Sequence, residues 1–257
     1  MKLIETSSMD SPSEDETLDL LSNRLRILQR KKGHRATSDD VLLAWAAVKF
    51  GGNAHNMLDL GTGKGTVAML VLSCRPNLRA VGVEVFSQSV DLARRNCRLN
   101  ALEDRLTIVE SDLRDAHKLT TLGQFGLITG APPFMALGSG ILPKDPQRAA
   151  GRFEINGGVE DYYTAAVRNI TSTGSVIVLM DGAGAERNEA AAKAVGLWIH
   201  HRLDVAPRPR QPATYSISVA RAYAAERQHS QHAMRGATGT GWSPWYKEIR
   251  KELDLPV

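Results

Sequence analysis

The chain has 257 residues, of which 42% are hydrophobic and 23% charged. These values are typical of a globular protein, and the length is enough for one α/β domain with a substantial core. The formal net charge of +4 permits a nucleic-acid partner without requiring one. No apolar run approaches the length of a membrane span, so a membrane partner is not expected.

Two features of the chain bear on its compartment. Cys74 and Cys97 form no close-spaced metal or redox motif, which favours a reduced intracellular compartment. The N-terminal stretch carries Glu5, Asp10 and Glu14, whereas signal and transit peptides are basic and poor in acids. The sequence therefore predicts a cytoplasmic protein, with the nucleus as the alternative compartment.

The N-terminal region changes from acidic to basic along the chain. Residues 1–16 are polar and acidic and predict a flexible tail. A basic cluster at 30–35 is interpreted either as a solvated loop or as a contact for RNA phosphate. Thr37 or Ser38 then caps a helix, which Gly51 ends.

A glycine-rich turn between an apolar strand and an apolar helix is the most informative stretch of the chain. Asn56–Thr66 has the sequence N-M-L-D-L-G-T-G-K-G-T, and Val67–Leu72 resumes helical apolar spacing. This pattern predicts a buried strand, a tight turn and a helix. Glycines in such a turn adopt positive φ and let the backbone approach a ligand.

Three classes of ligand use turns of this kind. A phosphate-binding loop requires Ser or Thr after Gly-Lys, but Gly65 follows Lys64. A dinucleotide fingerprint requires a third glycine where Thr66 stands. The Asp-x-Gly-x-Gly-x-Gly turn of S-adenosylmethionine (SAM) methyltransferases is matched in full, and its acid suits a ligand with an ammonium group. The predicted cofactor residues are Asp59, Gly61, Thr62, Gly63 and Gly65. A strand–helix turn that binds nothing is the alternative.

Acids that follow the next two predicted strands extend this cofactor site. Arg79–Val85 predicts a strand with Glu84 near its end, where nucleotide-binding α/β folds place an acid that accepts hydrogen bonds from ribose hydroxyls. Asp112 and Leu113 follow the third strand, where the acid can accept from an adenine amino group while the leucine packs on the ring. The alternative for both acids is an ordinary carboxylate at a strand end or in a loop.

The fourth predicted strand runs into an unusual loop of proline and aromatic residues. Two prolines stiffen it at the edge where open α/β sheets bind ligands, and its aromatic ring can stack on a planar substrate. The residues of this predicted catalytic loop are Ala131, Pro132, Pro133 and Phe134. A rigid surface turn with a partly buried Phe is the alternative.

The rest of the chain predicts one sheet with an antiparallel final pair. Loop 135–158 includes a basic stretch at 148–152, and long irregular loops are usually functional or disordered. The basic link 208–210 is either a solvated loop or a second contact for RNA. The histidines lack metal-ligand spacing with cysteines, so no metal is expected.

These elements predict a Rossmann-like, doubly wound α/β fold with a mostly parallel, seven-stranded sheet whose last strand is antiparallel. The predicted organisation has four parts. They are a flexible acidic tail at 1–16, a SAM-dependent methyltransferase domain at 17–224, a flexible linker at 225–240 and a C-terminal segment at 241–257 that docks on the domain.

Several segments, in order, resemble one family, the bacterial valine-tRNA adenine-N6 methyltransferases of class I. The segments are Glu16–Asp19, Arg24–Gln29, Lys31–Arg35, Leu58–Gly63, Val81–Glu84, Ala93–Asn96, Gly138–Glu154 and Trp242–Tyr246. The resemblance implies an enzyme that uses SAM to methylate an exocyclic amino group in RNA, adenine N6 of tRNA. It also implies that segment 33–37, with Arg35 and Thr37, closes over the methionine end of the cofactor. The basic stretches 30–35, 148–152 and 208–210 are then expected to hold RNA.

The chain departs from this family at the motif after the fourth strand. Ala131 replaces the Asn of Asn-Pro-Pro-Tyr, and Phe134 replaces the Tyr. In the family motif the Asn side chain and the first Pro carbonyl accept the two amino hydrogens, which favours a pyramidal nitrogen. Ala131 supplies only backbone, so we expect a loss of about 10²–10³ in rate.

Two alternatives stay open. The first is a catalytically degenerate methyltransferase that binds SAM or RNA as a scaffold, or as a subunit with a protein partner. The second is methylation of a protein glutamine, which related Pro-Pro motif enzymes perform.

Overall fold

The computed structural model describes residues 11–256. It contains an eight-stranded sheet and a separate two-stranded hairpin. The strands are β1 (Glu16–Leu20), β2 (Arg26–Arg30), β3 (Asn56–Leu60), β4 (Arg79–Glu84), β5 (Leu106–Glu110), β6 (Phe125–Gly130), β7 (Ile170–Asp181), β8 (Trp198–Ala206), β9 (Tyr215–Arg221) and β10 (Gln228–Ala233). The helices are α1 (Ser38–Phe50), α2 (Thr66–Cys74), α3 (Ser87–Leu99), α4 (Ala116–Thr120), α5 (Pro146–Ala150), α6 (Val159–Asn169), α7 (Ala185–Ala194) and α8 (Pro244–Glu252).

The strand order of the large sheet is β10-β8-β9-β7-β6-β3-β4-β5. Strand β9 is antiparallel to both β7 and β8, and the other neighbouring strands pair in parallel. This topology confirms the predicted Rossmann-like α/β fold with a mostly parallel sheet and an antiparallel strand. The predicted count of seven strands is wrong, because β10 adds an eighth.

Strand β10 lies within 225–240, the stretch that the sequence predicts to be a flexible linker. Its residues Gln228–Ala233 pair in parallel with His201–Ala206 of β8 at the edge of the sheet. The strand is half-buried to exposed and carries Gln, His and Ser in place of an apolar alternation. An edge strand is held mainly by backbone hydrogen bonds, so its side chains need not show the pattern of a buried strand.

The sheet is covered on both faces, which is the arrangement expected for parallel strands. Successive residues of β3 point to opposite faces, and Met57 and Leu58 belong to different apolar clusters. The Met57 cluster includes residues of α1, α2, α3 and α8, and the Leu58 cluster includes residues of α6 and α7. The carboxyl ends of β3, β4 and β6 are left between these layers to form a site.

The C-terminal helix α8 also contacts this body. Trp45 of α1 packs edge-on against Trp245 at a centroid distance of 5.4 Å, and its indole donates a hydrogen bond to Glu252 at 2.8 Å. At the other end, residues 1–10 of the predicted flexible tail lie outside the described residues, and Glu16 already belongs to β1. The predicted domain boundaries stay a prediction.

Candidate cofactor and substrate site

Two adjoining cavities lie at the carboxyl ends of β3, β4 and β6. The larger, of about 670 Å³, is walled by the glycine turn after β3, by segment 31–40 and by the start of the loop after β6. The smaller, of about 110 Å³, is lined by the end of β4 and the loop after β5. Gly61, Gly63 and Ala131 line both cavities, so a single elongated ligand can span them.

The glycine turn has the backbone that its sequence predicts. Gly61, Gly63 and Gly65 have φ values of +64°, +58° and +88°, which side-chain-bearing residues rarely adopt. A Cβ atom on Gly61 would also lie 2.2 Å from the Tyr162 hydroxyl. Gly65 is the N-cap of α2, and its amide donates a hydrogen bond to the Thr62 carbonyl at 2.9 Å. The turn therefore depends on glycine for both its conformation and its packing.

Asp59 presents a buried carboxylate at the base of the larger cavity. Its side chain accepts hydrogen bonds from the hydroxyls of Thr62 at 2.7 Å and Thr129 at 2.6 Å, and the residue is 2% exposed. Burial raises the pKa of Asp59 to about 6. The group is thus mostly ionised at neutral pH, and a ligand ammonium would favour that form.

Glu84 ends β4 and joins it to the glycine turn. One carboxylate oxygen accepts from the Gly63 amide at 2.9 Å and the other from the Phe86 amide at 2.8 Å. Burial raises the pKa of this carboxyl above its usual value. Each oxygen can accept a further hydrogen bond, so Glu84 can accept hydrogen bonds from hydroxyl groups of a ligand in the smaller cavity.

The loop after β5 places its two predicted residues differently. Leu113 is 7% exposed and lines the smaller cavity, where it offers an apolar surface. The carboxylate of Asp112 is held by Arg114 through contacts of 2.6–3.1 Å and does not line either cavity. Because Asp112 forms an ion pair with Arg114, two residues further on, its carboxylate does not lie at the site.

Segment 31–40 forms one wall of the larger cavity and includes both predicted residues Arg35 and Thr37. The Arg35 guanidinium donates to Asp19 at 2.8 Å and to Thr17 at 3.0 Å, so the β1–β2 hairpin fixes it. The Thr37 amide donates to the Asp40 carboxylate at 3.0 Å and caps α1. These contacts position the segment across from the glycine turn.

The proline loop after β6 faces the cavities from the third side. Ala131, Pro132 and Phe134 line the larger cavity, and Ala131 and Pro133 line the smaller. The Phe134 ring is half-buried and lies 6.4 Å from the Tyr215 ring, measured between centroids, at an angle of 59°. The structure therefore brings all four predicted catalytic positions to the same site as the glycine turn.

Comparison with known proteins agrees with this arrangement. The family model for the methyltransferase small domain matches residues 38–141, which span the glycine turn, Glu84 and the proline loop. Residues 38–141 are thus similar to a methyltransferase small domain. Curated relatives extend the similarity beyond these residues.

Three of these relatives carry the name tRNA1(Val) (adenine(37)-N6)-methyltransferase. The protein from Porphyromonas gingivalis strain W83 is 33% identical over 47% of this chain and 48% of its own length. Those from Aeromonas hydrophila and Trichodesmium erythraeum are 31% and 27% identical, over 60% and 77% of their own lengths. This chain thus spans about half the length of the first relatives that it matches. All three names describe an active enzyme, so these matches give no support to the degenerate alternative.

Solved structures show the same fold. A predicted O-methyltransferase from Agrobacterium tumefaciens has a TM-score of 0.64 at 18% identity, and the match covers 85% of this chain and 98% of that one. A putative RNA methyltransferase from Pyrococcus horikoshii has a TM-score of 0.52 at 16% identity, over 74% and 85% of the two chains. These likenesses concern the architecture alone.

The predicted basic stretches differ in their relation to the two cavities. Lys31, Lys32, Arg148 and Arg152 are exposed and line the larger cavity. The 208–210 link lines neither cavity, and Arg208 donates to the carbonyls of Gly236 and Gly239 at 3.0 and 2.7 Å. Within residues 11–256 there is no cluster of three potential metal ligands and no helix long and apolar enough to cross a membrane.

Three residues of the site are not identified by the sequence patterns. Lys64 and Tyr215 line the larger cavity, and Gln147 lines the smaller. Lys64 is part of the glycine-turn sequence, but the sequence does not show that its side chain is buried. Tyr215 and Gln147 reach the site through tertiary packing of β9 and α5, which no local pattern records.

Proposed function

We propose that this chain is a SAM-dependent methyltransferase that acts on an exocyclic amino group in RNA, with adenine N6 of tRNA as the group named by its relatives. One observation supports the proposal above the others. The glycine turn with Asp59, the strand-end acid Glu84 and the proline loop open onto the same pair of cavities. The first two features suit a charged nucleoside, and the third suits a planar acceptor beside it.

The residues present fit the cofactor by their chemistry. The carboxylate of Asp59 is a buried acceptor for an ammonium group, and Glu84 has free acceptor sites for ribose hydroxyls. Leu113 supplies an apolar surface for an adenine ring. Asp112 contributes to this site only if its ion pair with Arg114 opens. When bound, SAM supplies an electrophilic methyl group.

The proline loop then serves mainly to position the acceptor base. The Pro132 carbonyl accepts one amino hydrogen and the Phe134 ring stacks on the base. Ala131 provides no side-chain acceptor for the second hydrogen. We assign no general base, because the proposed catalysis rests on orientation of the amino nitrogen.

The RNA backbone is proposed to bind around the mouth of the larger cavity. Four exposed cations lie there, namely Lys31, Lys32, Arg148 and Arg152. Cationic contacts of this kind neutralise phosphates and make binding weaken steeply with salt. The 208–210 stretch is proposed as a second, more distant contact, and we place the reaction in the cytoplasm. A protein partner stays a prediction.

Methylation of an unmodified tRNA pool by the purified protein tests this proposal. We expect N6-methyladenosine in the nucleoside digest, measured by mass spectrometry, when SAM is present. Asp59→Ala should abolish both SAM binding in calorimetry and the methylated nucleoside. A wild-type protein that binds SAM yet methylates no RNA contradicts the proposed substrate, and one that does not bind SAM contradicts the enzymatic assignment.

A further inference from the structure

A lysine is buried in the glycine turn. Lys64 is 5% exposed and lines the larger cavity but not the smaller. Its carbonyl accepts a hydrogen bond at 3.0 Å from Asn96, which is itself fully buried, so its backbone is fixed. No carboxylate among residues 11–256 lies within ion-pair distance of its ammonium group.

An ammonium group on a residue that is only 5% exposed, without a close carboxylate partner, is costly, so its presence calls for a compensating charge. Burial lowers the pKa of Lys64, whereas the charges of Asp40 and Asp39 act in the opposite direction. Both acids lie across the same cavity, and each is already engaged with Thr37. The cation is therefore balanced only from a distance, and an anionic group bound in the cavity can pair with it directly.

The two cavities fix which end of an elongated nucleoside reaches Lys64. Glu84 and Leu113 line the smaller cavity, which is therefore suited to the ribose and the base. The amino-acid half of the same molecule then extends past the glycine turn into the larger cavity. That half carries one carboxylate and one ammonium group.

Other cations of the larger cavity are less suited to hold this carboxylate. Lys31, Lys32, Arg148 and Arg152 are exposed to solvent, and the guanidinium of Arg35 is bound to Asp19. An RNA phosphate is also a poor partner for Lys64, because a bulky phosphodiester would meet the exposed cations at the mouth first. The buried position favours a small anion that enters as part of a deeply bound ligand.

We propose that Lys64 binds the α-carboxylate of the amino-acid half of SAM and of its demethylated product, S-adenosylhomocysteine. This rests on the proposed cofactor and assigns a binding residue within that site. The same cavity is lined by three acids, Asp59, Asp39 and Asp40. These carboxylates can balance the charge of the α-ammonium group. The larger cavity thus offers a partner for each charge of the ligand.

Calorimetry with two ligands separates this role from a structural one. S-adenosylhomocysteine carries the carboxylate, and its decarboxylated analogue, 5′-(3-aminopropylthio)-5′-deoxyadenosine, lacks only that group. Lys64→Met should weaken the first ligand by about 10- to 100-fold, as expected for loss of a charge-assisted hydrogen bond. It should leave the second unchanged or make it bind tighter. Lys193→Met, the same change at an exposed site on α7, should alter neither.

The outcomes are distinguishable. Equal weakening of both ligands, or weakening of neither, overturns the role of Lys64 while leaving the cofactor assignment intact. If the wild type binds neither ligand, the proposed function itself fails. Lys64→Arg keeps the charge and serves as a second variant should the methionine variant not fold, and it should retain the preference for the carboxylate-bearing ligand. Loss of that preference in a folded Lys64→Arg protein that still binds both ligands contradicts the proposal.

Discussion

The hydroxyl of Thr129 donates a hydrogen bond of 2.6 Å to the carboxylate of Asp59, and both residues are buried. Thr129 stands on β6, opposite Asp59 on β3 in the register of the sheet. The same strand β6 leads into Ala131 two residues later. This bond therefore connects the acid of the proposed cofactor site with the strand that carries the proposed acceptor loop.

Removal of this hydroxyl should lower the stability of the protein. Thr129→Val keeps the shape of the side chain but leaves the buried Asp59 carboxylate with one hydroxyl donor, from Thr62. We expect the free energy of unfolding to fall by about 1–3 kcal/mol. Chemical denaturation measures the change. Thr107→Val on β5, where the threonine is exposed, is the control and should change stability far less.

Affinity for S-adenosylhomocysteine should fall as the pH drops through about 6. Burial raises the pKa values of Asp59 and Asp40 to about 6, so both carboxyls protonate as the pH falls below that value. A ligand ammonium binds the ionised form, and that favourable contribution is present above pH 6 and lost below it. Calorimetry from pH 7.5 to about 5 tests this sign. Asp59→Asn should make the profile shallower and leave the contribution of Asp40, and a flat wild-type profile would contradict the proposed ammonium contact.

Features set by local geometry are predictable from this sequence. The glycine turn requires positive φ at fixed positions. Glu84 is the last residue of β4, so the length of that strand determines its position. The structure places both at the two cavities. The proline loop follows for the same reason, because the end of β6 determines where Ala131–Phe134 lies.

Features set by competition or by distant packing are not predictable. Asp112 follows the expected strand, but Arg114 binds its carboxylate. Tyr215 meets Phe134 only because β9 returns between β7 and β8. Strand β10 has no apolar pattern, since an edge strand does not need one.

Neutralisation of the acid at the end of β4 should weaken nucleoside binding. Glu84→Gln removes the charge and one acceptor, and the remaining oxygen cannot serve Gly63, Phe86 and a ribose together. We expect the affinity for S-adenosylhomocysteine to fall by about 10- to 100-fold. Glu110→Gln is a matched control, because Glu110 is paired with Glu84 across β4 and β5 but is exposed and lines neither cavity. Similar losses in both variants would argue for a general charge effect.

Asn96 should contribute much more to stability than its neighbour one turn later. Its buried side chain exchanges hydrogen bonds with the backbone of Leu28 at 2.6 and 3.1 Å and also donates to Lys64. Asn96→Ala leaves these buried groups unpaired, so we expect a loss of about 2–4 kcal/mol in the free energy of unfolding. Asn100 makes the equivalent bonds to Arg26 nearer the surface. Asn100→Ala should cost about 1 kcal/mol or less in the same denaturation experiment.

Restoration of a side-chain acceptor at position 131 should raise the rate of amino-group methylation. Ala131 is half-buried and lines both cavities, so an Asn there would face the proposed acceptor. A second acceptor for the amino hydrogens favours a pyramidal nitrogen, and we expect Ala131→Asn to increase single-turnover methylation of tRNA by about 10²–10³.

The control for this change is Ala136→Asn, which makes the same substitution at an exposed position further along the loop and should leave the rate unaltered. Affinity for S-adenosylhomocysteine should stay within about threefold in both variants, because neither change alters Asp59 or Glu84. An inactive wild type that gains activity only with the Ala131→Asn substitution would revive the scaffold alternative. A wild type that turns over quickly and gains nothing would show that the backbone of the proline loop and the Phe134 ring orient the amino nitrogen without a second acceptor.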